Sequence, residues 1–109
     1  MNNIYNIWFA RVDVTNSIKA KLYQKFSVEE IFYFTEKDFI NQGLKPVSAE
    51  KFLDKKYRIN LEKYMGYMNQ NGITQIFKDD VNYPDKFRII QNPPTYFFAK
   101  RQHRTNVWW

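Results

Sequence analysis

Lys19, Lys21 and Lys25 come nearest to a binding chemistry in this sequence, three cations in one short stretch with the reach to contact phosphates of a nucleic acid backbone. The same row suits a solvated helix face, which carries such lysines routinely. Sets of residues for catalysis are missing. The single histidine, His103, stands beside Arg104 near the end of the chain, and no His or carboxylate cluster has metal-ligand spacing. Glu29-Glu30 and Asp79-Asp80 are the adjacent acidic pairs, the first suited to a helix N-terminus and the second to a turn. Cysteine is absent, which removes thiol nucleophiles, thiolate metal sites and disulfides. Gly43, Gly66 and Gly72 lie too far apart for a phosphate-cradling loop. The expectation is a binding protein, not an enzyme, without metal or cofactor.

The charge of +6 and the pI near 9.5 make an anionic partner worth testing, but half of that charge comes from Lys100, Arg101 and Arg104 in the last ten residues. The +3 of residues 1–99 is ordinary for a soluble domain. No apolar run approaches the ~20 residues of a membrane span, and the first residues lack a basic leader, so a cytoplasmic protein without membrane contact is expected. With 109 residues, 44% hydrophobic and 19% aromatic, the chain has material for one modest core.

The elements that must position these groups are mostly short helices. Ile4, Ile7 and Trp8 share a helical face, the stretch Arg11 to Ser17 breaks it, and Ile18, Leu22 and Phe26 begin a second face with the three lysines spread over the rest. Ser27 with Glu30, and Thr35 with Asp38, have capping-box spacing. Gly43 reads as a left-handed stop, and Pro46 opens a helix with Phe52 and Leu53 facing inward. That helix runs out in Lys55, Lys56 and Arg58, expected as its wet end. Leu61, Tyr64, Met65 and Met68 keep helical spacing to Asn71-Gly72, with Gly66 marking a close packing contact.

At Gly72 the period changes. Residues 73–77 read as a strand, Asp79 to Asn82 as a turn, Tyr83-Pro84 as the start of a short helix with Phe87 and Ile90 on one side, and Thr95 to Phe98 as a second strand after the extended Asn92-Pro93-Pro94. Phe26, Phe32, Phe39, Phe52 and Tyr64 have core spacing, whereas Trp108 and Trp109 have no periodic context. The fold class expected is mainly α, a small helical bundle over 1–72, followed over 73–100 by a short β-α-β stretch that resembles the opening of an α/β sheet, with 101–109 a basic tail.

The segment from Asp80 to Phe98, with its Tyr83-Pro84, Phe87 and Pro93-Pro94, resembles the N-terminal part of the DNA-processing protein A family (DprA, also called Smf). Lys25 to Phe32 and Leu61 to Ile73 resemble further stretches of the same family, so the likeness spans residues 4–100. It implies a SAM-like, helix-hairpin-helix-related domain before an incomplete Rossmann-like domain. It also implies a role in single-stranded DNA processing during natural transformation, with single-stranded DNA and RecA as partners. Tyr83, Pro84, Pro93 and Pro94 are its signature residues, with a structural role.

Two departures bear on function. The hairpin turn, Val12-Asp13-Val14-Thr15-Asn16, has no glycine to let a phosphate approach the backbone. The sequence also parts from the family after Lys100, so residues 101–109 are expected as a non-homologous tail on a truncated or split protein whose main DNA-binding domain is missing. A free-standing helical domain that binds another protein, and not DNA, is the alternative.

Overall fold

The computed structural model describes residues 2–89, 93–102 and 105–108, with side chains as far as Lys100. Its first four helices begin where their caps place them. Helix α1 (Ile4–Arg11) starts at Asn3 and α2 (Asn16–Tyr23) at Thr15, each side chain accepting from a backbone N–H in the first turn. Both expected capping boxes are formed: Ser27 and Glu30 open α3 (Val28–Phe32), and Thr35 and Asp38 open α4 (Glu36–Asn41). Gly43 follows α4 with φ +88°, the left-handed stop that the sequence indicates. Pro46 occupies the first turn of α5 (Pro46–Leu53), and a 3-10 turn (Lys55–Tyr57) leads to α6 (Leu61–Gln70), which ends before Gly72 at φ +67°.

These short helices are held by what they bury. Trp8, Phe9, Phe39 and Phe52 lie fully inside, with the Phe39 and Phe52 rings stacked at 4.9 Å and Trp8 edge-on to Phe32 at 5.0 Å. Three expectations about this bundle are corrected. Arg58 is not the wet end of a helix: its guanidinium donates to the Phe32 and Phe52 carbonyls at 2.9 and 3.0 Å and lies over the Phe32 ring. Those carbonyls belong to helix ends, so a planar multi-donor cation satisfies them better than water can at that depth. Tyr64 is not core but 42% exposed, with Arg11 stacked on its ring. Gly66 makes no close packing contact, since a Cβ there would meet nothing within 4 Å.

Strand β1 (Ile73–Phe77) follows α6, and α7 (Asp85–Arg88) precedes β2 (Tyr96–Gln102). The two strands pair antiparallel, with Ile76 opposite Phe97 and Phe77 opposite Tyr96. The expected β-α-β opening of an α/β sheet would set them parallel. Here the single turn of α7 is too short to carry the chain back along the sheet, so β2 returns alongside β1 in the opposite direction. A further strand, β3 (Thr105–Trp108), lies in the stretch expected as a tail and pairs antiparallel with β2, Ala99 opposite Trp108. The sheet order is therefore β1-β2-β3, and β2 has neighbours on both edges. The expectations at Ile90, Asn92, His103, Arg104 and Trp109 lie outside the described residues.

Alternation along the strands divides the sheet into two buried faces. Ile73 and Phe77 join the helical core, with Tyr96 and Phe98 packed against it. Ile76, Phe97 and Ala99 point the other way and form a second cluster with Tyr83 and Phe87. The change at residue 72 is thus a change of secondary structure without a gap in packing. Among the described residues no helix is long and apolar enough to cross a membrane.

Candidate functional site

The three lysines are not brought to one surface. On an α-helix, residues 19 and 21 are separated by about 200° of rotation, so one points inward when the other points out. Lys19 is only 3% exposed. Its ammonium donates to the Ala10 carbonyl at 3.2 Å and to the Tyr96 hydroxyl at 3.1 Å. Burial pushes this ammonium down to about 8, against a smaller opposing pull from the Asp13 charge. Lys19 therefore ties the end of α1 and β2 to α2 and does not face a ligand. Lys21 is exposed and reaches over Gly43, while Lys25 lies beyond α2, also exposed.

The signature residues, in contrast, converge. Tyr83 is buried, and its hydroxyl donates to the Pro94 carbonyl at 2.6 Å, so the Tyr83-Pro84 and Pro93-Pro94 pairs meet across the loop between the strands. Pro84 caps α7 with φ −61°, the angle its ring imposes. The Tyr83, Phe87 and Phe97 rings pack edge-to-face, 5.3 to 5.8 Å between centroids. Arg88 closes the other side of the loop, donating to the Lys78 and Asp80 carbonyls with its guanidinium 5.0 Å from the Tyr83 ring centroid. Burial raises the Tyr83 phenol, and the Arg88 charge partly offsets it. This unit covers the outer face of the sheet, which is a structural task.

Sequence reasoning missed a cleft of about 680 Å³ where α1, the corner between α2 and α3, and the end of β1 meet. Gln75 lines it, together with the Glu29, Asp79 and Asp80 carboxylates and Lys25. Asp79 accepts from the Tyr23 hydroxyl; burial and this bond both hold the Tyr23 phenol well above its ordinary range. Asp80 accepts from the Asn82 backbone N–H, which makes the acidic pair the turn that its sequence suggests as well as a wall of the cleft. One signal pointed here: Gln75 shares its strand face with Ile73 and Phe77, a polar residue at an inward position.

No protein-family model, curated protein or solved structure matches this chain.

Proposed function

We propose that this chain acts in single-stranded DNA processing during natural transformation, as an accessory N-terminal module of a DprA-like protein in the step that loads RecA. Its helices take the place of the family's SAM-like, helix-hairpin-helix-related domain, and residues 73–100 stand where the Rossmann-like domain begins, folded as an antiparallel pair and not as a parallel β-α-β unit. The observation that carries this reading is the hydrogen bond from Tyr83 to Pro94, which makes one packed unit of the residues in which the resemblance is most specific. The work is binding in the cytoplasm, without catalysis or cofactor, and the burial of Lys19 speaks for a role that does not run through the lysine row.

A free-standing protein-interaction domain that leaves DNA alone is the second reading. It draws on the same withdrawal of Lys19 from the surface and on the acidic cleft, which suits proteins better than phosphates.

RecA filament growth on single-stranded DNA coated with single-strand-binding protein separates the two. A DprA-family protein lacking its own N-terminal module is supplied, and this chain is added in equimolar amount. Faster filament nucleation than without the chain is the expected result. An unchanged rate overturns the DNA-processing reading and leaves the protein-interaction one.

A further inference from the structure

A small apolar pocket opens between α1, α6 and β2. Ile7 and Ala10 of α1, Tyr64, Tyr67 and Met68 of α6 and Phe98 of β2 line it, and its volume is about 170 Å³. That is below the ~300 Å³ at which pockets for free small molecules begin, and it suits one large side chain of a macromolecule. Tyr64 and Tyr67 are 42% and 63% exposed, so two rings stand in solvent at its rim.

Arg11 closes the pocket on one side and is the one charged residue among the described residues that line it. Its Nη1 donates to the Tyr57 and Ile59 carbonyls at 3.4 and 3.0 Å, and the guanidinium lies 4.4 Å from the Tyr64 ring centroid. Those contacts hold the group in one orientation and use only one of its nitrogens. Nε and Nη2 carry three more N–H donors, and none meets an acceptor among the described residues. No carboxylate among them pairs with Arg11 either. Lys100 adds a second cation: it follows Phe98 by two positions on β2 and so shares its face, about 7 Å along the strand.

An apolar hole beside an unpaired, fixed cation selects its occupant by charge. A nucleic acid base would bury its hydrogen-bonding edges against Ile7, Ala10 and Met68, side chains that offer no donor. Arg11 also covers one face of the Tyr64 ring, a surface on which a base would otherwise stack. An aromatic side chain brings no polar group to desolvate, and it gains edge contacts from Phe98 and the Met68 thioether.

We propose that this pocket anchors a phenylalanine side chain of an acidic segment in a protein partner, with a neighbouring carboxylate taking the free N–H groups of Arg11 and a second one facing Lys100. The site goes beyond the DNA-processing reading and stands if that reading fails.

The test uses the whole 109-residue chain, labelled with 13C at the methyl groups of its three methionines. The probe is N-acetyl-Asp-Asp-Phe-Asp-Asp amide, with three controls: alanine for its phenylalanine, asparagine for its aspartates, and an oligo-dT strand. A saturable NMR shift of the Met68 methyl is expected while Met65 stays in place, and added salt weakens the binding. The alanine peptide binds at least about tenfold more weakly and the asparagine peptide about fivefold. Ala10→Leu, which fills the pocket and removes no polar contact, lowers the affinity at least about tenfold. Arg11→Gln abolishes the preference for aspartate over asparagine, and Lys100→Gln reduces it about twofold. A Met68 signal that does not move, moves equally with the control peptides, answers more strongly to oligo-dT, is indifferent to these substitutions, or shifts with protein concentration alone overturns the proposal.

Discussion

The Lys19 ammonium donates to the Tyr96 hydroxyl at 3.1 Å, across 77 positions of sequence. A residue whose type and neighbours suggest a phosphate contact thus works as an interior tie between helix and strand. Burying a lysine is costly, and two acceptors, the Ala10 carbonyl and the Tyr96 oxygen, offset that cost.

This tie gives the fold a pH dependence whose sign is fixed. Lys19 has a folded value of about 8 against 10.5 in a free lysine, so between those values the unfolded chain holds more protons, and stability rises with pH. Tyrosines act in the opposite sense. Tyr5, hydrogen-bonded to Tyr33, is pushed up to about 12, and burial raises Tyr23, Tyr83 and Tyr96. Unfolded tyrosines ionise from about pH 10, so stability falls above it. Urea midpoints measured from pH 7 to 11 are expected to climb above pH 8, peak near about pH 10 and then drop. In Lys19→Met the climb disappears and the drop remains.

Tyr83→Phe keeps the ring packing against Phe87 and Phe97 and removes only the bond to Pro94. A loss of about 1 kcal/mol is expected, read as a lower urea midpoint at unchanged slope. A loss near zero would mean that the signature pairs do not depend on this contact.

Arg58→Lys retains the charge but not the fork that reaches the Phe32 and Phe52 carbonyls, nor the flat face over Phe32. The expected cost is about 2 kcal/mol in chemical denaturation, larger than for an exposed lysine such as Lys55 replaced by alanine.

Gly66→Ala runs the other way. The site is exposed, inside α6, with space for a Cβ, so alanine gains helix propensity without a clash. Stabilisation of about 0.5–1 kcal/mol is expected by thermal or urea unfolding.

What the sequence made legible was local. Ser27 with Glu30, Thr35 with Asp38, and Gly43 each act within one turn of chain, so residue types at fixed spacing were enough to place helix ends. The positions of β1 and the first half of β2 were legible for the same reason, but β3 was not, and neither was the direction of pairing, because the match of Ile76 with Phe97 depends on how the intervening loop folds. Lys19 and Arg58 were misjudged for a related cause. Their partners, Tyr96 and Phe32, are distant in sequence, and a cation's type predicts solvent unless something far away offers acceptors. The cleft draws on residues from Asn3 to Asp80 and matches no motif. Only Gln75, polar on an apolar strand face, hinted at it.

Whether the lysine row is a DNA surface is open to a direct measurement. Fluorescence anisotropy of a labelled oligo-dT strand, titrated with the chain at two salt concentrations, reads this out. Any binding is expected to be weak and unchanged when Lys21 and Lys25 are replaced by alanine. Saturable binding that weakens steeply with salt and is lost in Lys21→Ala with Lys25→Ala would contradict it.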